Sequence, residues 1–254
     1  MGDQSLEIKT AISAARAAEE IIMHYYGGDY ASRLKPDHTP VTQADEEAEE
    51  AIARTIRAQF PEHGFLGEET GEQDRASDYC WIVDPVDGTK NYIRGIPLFG
   101  TQIALMHRGV LQLGVSNMPA MGELLHAERG QGAYLNGMRV KVSDVGDLGG
   151  AQVSFGGLDY FDAAGRLDAA VTVVRGAGRI RAFGDAYAYH LVATGRCEAV
   201  LEAHIKIWDI AALSVIVEEA GGRCTDLDGV GIGTETGSML ATNGRVHEKL
   251  LAVF

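Results

Sequence analysis

Asp84-Pro85-Val86-Asp87-Gly88-Thr89-Lys90-Asn91-Tyr92 follows an apolar run, Trp81-Ile82-Val83, and the reading of the whole chain turns on it. Two carboxylates stand three residues apart at the end of a short strand. Pro85 has no N–H to give a ladder and fixes its own φ, so the strand is expected to stop at Asp84-Pro85 and turn. Gly88 permits a tight backbone and the close approach of a ligand. Both carboxylates are thereby aimed into one place beside backbone N–H groups, where they repel each other unless a proton or a cation lies between them. No His or Cys is nearby, and none of the eight histidines shows HxH or HExxH spacing. A hard, all-oxygen donor set points to magnesium, with manganese as a substitute, rather than zinc. The same letters also suit a plain DxxDG turn in which the carboxylates serve only as turn and cap residues.

Three other pieces carry acids in telling places: Val41-Thr42-Gln43-Ala44-Asp45, Gly67-Glu68-Glu69-Thr70 and Trp208-Asp209-Ile210-Ala211-Ala212. Each has a structural use of its own. Thr42 and Asp45 have the spacing of a reciprocal helix cap. Asp209 at a helix start is a routine N-cap. Glu68 and Glu69 suit a solvated acidic turn.

The 254 residues suit one unit of two lobes, with 46% hydrophobic and 23% charged residues, ordinary values for a soluble globular chain. No apolar run approaches the roughly 18 residues of a membrane span, and the first ten residues read neither as a secretory signal nor as a myristoylation signal. Cys80, Cys197 and Cys224 are an odd number without CxxC spacing, so buried thiols and a reducing cytoplasm are expected. A formal charge of -14 speaks against a nucleic-acid partner.

Periodicity predicts a long amphipathic helix over residues 5–26, a loop or short hairpin over 29–41 and a helix over 43–59 with Thr42 as N-cap. Short alternating runs at 101–106, 111–116 and 123–127 suggest an antiparallel meander, with a further hairpin at 130–137. Residues 140–150, polar and Gly-rich, are a junction, placing a first lobe at 1–142 and a second at 143–254. Beyond it come a strand at 153–155, a helix near 158–175, a strand at 179–183, a helix at 186–194, a strand at 199–201, and a helix at 209–220 closed by Gly221-Gly222. The first half reads as α+β and the second as α/β.

Taken together, in this order and at these separations, the four pieces resemble the inositol monophosphatase family. The match runs through DPxDGTxN, WDxAA and Glu219-Ala220-Gly221-Gly222, and covers nearly the whole chain. The resemblance implies an α+β fold of layered αβαβα type with the site between two lobes. It implies a Mg2+-dependent phosphomonoester hydrolase, with two or three ions per subunit and a homodimer. Glu68, Asp84 and the Val86 carbonyl look like ligands of a first ion, and Asp84, Asp87 and Asp209 like those of a second. Asp45 and Thr89 look like the pair that orients the attacking water, with Glu68 helping to accept its proton. Gly88 and Thr89 should offer backbone N–H groups to the phosphate, and Lys35 corresponds to a phosphate-side lysine in a loop one residue shorter here. Such ions would reconcile an acidic chain with an anionic substrate. A catalytically inactive metal-binding regulatory module on the same fold is the alternative of another class; the presence of every expected carboxylate speaks against it.

For the substrate, Gly88-Thr89-Lys90-Asn91-Tyr92-Ile93-Arg94-Gly95-Ile96-Pro97 and Arg181-Ala182-Phe183-Gly184-Asp185-Ala186 are similar to the histidinol-phosphate phosphatase branch. Histidinol phosphate carries an ammonium and an imidazole, which welcome Asp185; inositol has only hydroxyls and would leave a buried anion there uncompensated. Asp185 also suits a cap for the helix after it. Gly184, Ala186 and Glu202 are expected on the alcohol side as well. Inositol 1-phosphate, or a broad range of small phosphate esters, is the alternative. Lys90 and Arg94 suit either substrate contacts or a dimer surface.

Overall fold

Ser5 starts the first helix: its hydroxyl accepts from the Ile8 N–H at 3.2 Å, and α1 runs Leu6–Tyr25. The computed structural model describes residues 4–28, 32–34, 40–73 and 77–254. β1 (Ser32–Leu34) and β2 (Pro40–Thr42) pair antiparallel, and Thr42 then caps α2 (Gln43–Gln59). Ala11, Ala14, Ala15 and Ala18 of α1 and Ala44 and Ala48 of α2 are all fully buried. Small side chains let the two helices approach each other closely over the sheet beneath.

The first sheet collects β3 (Gly64–Gly67), β4 (Gly71–Gln73), β5 (Tyr79–Asp87), β6 (Gly100–His107), β7 (Val110–Met118), β8 (Glu123–Glu128), β9 (Gly132–Leu135) and β10 (Met138–Val140), with α3 (Thr89–Ile93) between β5 and β6. The order is β10-β9-β8-β7-β6-β5-β3-β4, antiparallel except where β3 meets β5. Asn136 and Gly137, at φ 48° and 79°, make the β9–β10 turn, the left-handed pair a two-residue hairpin prefers.

The second half supplies β11 (Gln152–Phe155), α4 (Leu158–Ala163), α5 (Leu167–Gly176), β12 (Arg179–Arg181), α6 (Asp185–Ala193), β13 (Ala199–Ala203), α7 (Ile207–Glu219), β14 (Arg223–Thr225), β15 (Ser238–Thr242) and α8 (His247–Leu251). Its sheet runs β12-β11-β13-β15-β14. β11 is parallel to both its neighbours, whereas β15 is antiparallel to β13 and β14. Strands and helices alternate in this half as expected, on a sheet that is mixed, not all parallel.

Three buried clusters define five layers. One lies between α1/α2 and the first sheet, one holds α6 and α7 between the two sheets, and one lies outside the second sheet against α4, α5 and α8. The chain is thus an α+β, αβαβα layered fold. α7 is apolar all round because it faces a sheet on both sides. It lies so close to β7 that a Cβ on Gly114 would stand 2.2 Å from the Ala212 carbonyl oxygen. The Ala211-Ala212 pair is thereby explained: α7 must press flat on the sheet, and this sets where Asp209 points. Glu219, at the other end, accepts from the Gly130 and Gly132 N–H groups, each at 2.8 Å.

Other expectations are corrected. β5 does not stop at Pro85 but runs on to Asp87 through a one-residue bulge, a place where a missing N–H costs no ladder bond. The helix expected near 158–175 is broken into α4 and α5, with Gly165 in a left-handed turn at φ 69°. α7 begins at Ile207 with Lys206 as N-cap, so Asp209 is its third residue and caps it from within: Oδ2 accepts from the Lys206 N–H at 2.7 Å.

Candidate active site

The bulge in β5 creates the site. Residues three apart on a strand face opposite ways. Here Asp84 pairs with Gln102 and Asp87 with Gly100, two residues apart on β6, so the extra residue brings both carboxylates to the same face. That face looks toward α6 and α7. Thr101 steadies the bulge by donating its hydroxyl to the Pro85 carbonyl at 2.8 Å. The chain then passes Gly88 at φ 85°, where a Cβ would lie 2.8 Å from the Leu98 carbonyl oxygen, and enters α3. Only glycine fits there without moving backbone.

Glu68, Asp84, Asp87 and Asp209 meet around one cleft of about 420 Å³, together with Val86, Gly88, Thr89 and Asp185. No three acidic, histidine or cysteine side chains among the described residues close on one point as a ready cage; the carboxylates stand around the cleft instead. Burial pushes the Asp84 carboxyl well above the usual range, and Glu68, Asp87 and Asp209 push it further. Asp87 is raised likewise by burial, then by Asp185, Asp209 and Glu202, against a lowering hydrogen bond from the Ala186 N–H. Asp209 is pushed up to about 7, chiefly by burial. The four carboxylates therefore repel one another, and although Lys90 and Arg94 also line the cleft, it has no His or Cys. Those residues fit a hard divalent cation.

Asp45 is fully buried beside this cleft. Its Oδ2 accepts from the Thr42 N–H at 2.8 Å and from the Thr42 hydroxyl, while Thr42 Oγ1 accepts from the Asp45 N–H. The reciprocal cap read in the sequence is real, and it does not exclude a role in the site: Oδ1 accepts from Thr89 Oγ1 at 3.3 Å. Thr89 Oγ1 also lies 3.0 Å from the Val86 carbonyl oxygen. Its one proton is committed to these two acceptors, so a lone pair is left to accept from a water. Lys35 lies outside the described residues.

Of the residues expected around the alcohol, Asp185 lines the cleft. It is not the cap of α6: it sits at φ 53°, a conformation Asp tolerates better than most residues, and its Oδ2 accepts from the Asn91 side-chain amide at 2.9 Å. The N-terminus of α6 is instead held by other acids. Asp87 Oδ2 accepts from the Ala186 N–H at 2.6 Å and Glu202 Oε1 from the Asp185 N–H at 3.1 Å. Burial, followed by repulsion from Asp185, pushes Glu202 up to about 8. Its Oε2 accepts from the Tyr189 hydroxyl at 2.6 Å, so Glu202 stands behind the cleft wall, with buried Ala186 and the half-buried cap Gly184.

Sequence reading missed Glu49. One helical turn after Asp45, it is buried, and it accepts from the Glu69 and Thr70 N–H groups at 2.9 Å each. The same face of α2 thus touches Thr89 through Asp45 and steadies the turn that carries Glu68. The i, i+4 spacing of the two acids was the available signal. Asp159 and Tyr160, also in the cleft lining, gave no signal at all.

With this geometry in place, comparison defines the class. The pattern of the inositol monophosphatase family matches residues 3–254, and the chain belongs to that family. It is a phosphoric monoester hydrolase by that membership. It is 38% identical to a histidinol-phosphatase of Chlorobaculum parvum, over 97% of this chain and 95% of that protein. It is 39% identical to a histidinol-phosphatase of Mycobacterium tuberculosis, over 96% of each. Among solved structures, the extragenic suppressor protein suhB from Bartonella henselae superimposes with a TM-score of 0.92 at 34% identity, covering 98% of both chains. Among the described residues no helix is long and apolar enough to cross a membrane.

Proposed function

We propose that the chain is a magnesium-dependent histidinol-phosphate phosphatase, with lobes 1–142 and 143–254 closing on the site. The observation that carries the substrate is Asp185: a carboxylate in the cleft wall, spent on no helix cap, beside the place where the alcohol must leave. The two relatives named histidinol-phosphatase support it, and the change of sheet between Val140 and Gln152 supports the lobes.

Magnesium held by Glu68, Asp84, the Val86 carbonyl, Asp87 and Asp209 would supply positive charge to the phosphoryl oxygens and acidity to a water. The chain's own groups do the positioning. Thr89 Oγ1 accepts one proton of the attacking water and passes its own to Asp45 Oδ1, so the water's lone pair is directed at phosphorus; Glu68 stands by as a second acceptor. The N–H groups of Gly88 and Thr89, which have no acceptor within α3, face the phosphate. The P–O bond to the alcohol breaks in line, and the alkoxide takes a proton from water. Asp185 binds the cationic part of the alcohol and holds its oxygen on that line.

The test is phosphate release, with magnesium, from histidinol phosphate and inositol 1-phosphate side by side. A kcat/KM about 100-fold higher on histidinol phosphate, roughly 2.7 kcal/mol in transition-state binding, is expected. The reverse preference overturns the substrate while leaving the phosphatase.

A further inference from the structure

At the mouth of the cleft stand side chains that the proposed chemistry does not use: Lys90 from the first half, and Asp159 and Tyr160 from the start of α4. They meet across the cleft. Lys90 Nζ donates to the Tyr160 hydroxyl at 3.1 Å and, 5.8 Å from the ring centre, lies at the hydroxyl edge of the ring. The Lys90 charge also acts on Asp185, lowering a carboxyl that burial raises. The ring of Tyr160 stacks on the imidazole of His204, with centroids 5.4 Å apart and planes at 22°. His204 holds a left-handed backbone at φ 61° to be there.

The molecule thus already shows what this corner binds. An ammonium is held by the hydroxyl of an aromatic side chain, its charge reaching a carboxylate, and an imidazole lies flat on the same ring. Asp159 adds a second carboxylate at the rim. Lys90 is exposed on a flexible stem, so its hold here exchanges readily. A neutral polyol offers the acids only neutral hydroxyl donors and nothing to the ring face, whereas a cationic, ring-bearing alcohol gives the acids charge-assisted hydrogen bonds and has a ring to lay on Tyr160.

We propose that Tyr160, Asp159 and Asp185 form a subsite for the cationic part of the leaving alcohol, and that Lys90 is the resident cation the substrate displaces. The inference rests on the reading of the chain as a phosphatase of an amino-alcohol ester, and it adds the residues that select the charge.

The experiment compares the full-length wild type with Tyr160→Ala and Asp159→Asn on histidinol phosphate and on inositol 1-phosphate, at saturating magnesium. In Tyr160→Ala the ratio of the two kcat/KM values is expected to fall about tenfold, mostly through KM on the cationic ester. Tyr160→Phe, which keeps the ring, controls for folding and is expected to hold most of the ratio. Free histidinol carries the cations without the phosphate and so reports on the subsite alone. Its dissociation constant by calorimetry is expected to rise in Tyr160→Ala and to fall in Lys90→Gln. A wild type that prefers histidinol phosphate, with the ratio unchanged in Tyr160→Ala, overturns the subsite and spares the proposed function. A wild type indifferent to the charge of the alcohol overturns both. Histidinol binding unaltered in Lys90→Gln overturns the displacement.

Discussion

Two buried polar constellations join the halves of this chain, and they are built on opposite terms. In one, Arg196 pairs with Glu123 at 3.0 Å, Glu123 Oε2 lies 3.1 Å from His190 Nδ1, and His190 Nε2 lies 2.8 Å from Ser116 Oγ. With Glu123 ionised, Nδ1 carries the proton and Nε2 accepts from the serine hydroxyl, so every donor in the chain has an acceptor. The His190 hydrogen bond, then Arg196, holds the Glu123 carboxyl below its usual range. In the other, the carboxylates of the cleft raise one another. The first has the outline of a serine–histidine–acid relay, yet Ser116 and His190 are wholly buried and no substrate reaches them. A polar network whose members satisfy each other contributes stability. One whose members cannot do so without a partner is where the chemistry is.

The sharpest break in this contrast is expected from Asp209→Asn. Loss of one carboxylate from the cleft should lower kcat/KM by about 10³-fold and abolish the rise in melting temperature on adding magnesium. In EDTA the same variant should melt higher than wild type, because a repelling charge is gone. A variant that melts lower in EDTA would show that the bond Asp209 accepts from the Lys206 N–H outweighs its repulsion of the other acids.

The opposite pattern is expected from His190→Ala. It strands Ser116 and Glu123 in the core and should cost about 3 kcal/mol in denaturant unfolding, while the half-saturating magnesium concentration stays put.

The smallest effect is on pH. Glu202 and Asp209 have folded pKa values raised to about 8 and about 7. For a raised pKa, the stabilising contribution is full below the unfolded value and is lost as pH rises through the folded one. In EDTA, their contribution to stability should therefore fall as pH climbs from about 4 to about 8, and magnesium should flatten that slope. His247 runs the other way. Buried between Thr225 and Thr242, it is lowered to about 4, chiefly by burial. The unfolded state then binds the extra proton, and stability is lost as pH falls from about 6.5 to about 4, by roughly 2–3 kcal/mol over the full window. His247→Gln should remove this opposing loss below about pH 6.5 and so steepen the fall in stability with rising pH over that range.

Much of this was legible beforehand. α1 and α2 followed from apolar spacing and from Ser5 and Thr42 as caps, because a surface helix needs one apolar stripe and a satisfied start. The cluster of Glu68, Asp84, Asp87 and Asp209 was visible in three motifs in order, with Asp45 on a fourth. Less legible was β5 beyond Pro85, since a bulge is defined by the partner strand and not by local letters. The break at Gly165 was hidden because one glycine inside a helical pattern is compatible with continuation.

The sequence alone determined which residue types were available: hard oxygen ligands without histidine or cysteine beside them, and an extra acid at position 185. Tertiary structure alone decided what each acid is for. Asp45 caps α2 and also reaches Thr89; Asp87 holds the start of α6 while facing the cleft; Glu202 is turned behind the wall by Tyr189, and Glu49 is recruited to steady Glu68. A carboxylate's role depends on how many N–H groups, hydroxyls and like charges surround it. Apart from Thr42, those neighbours come from segments 13 to 99 residues away in the chain, which no local pattern encodes.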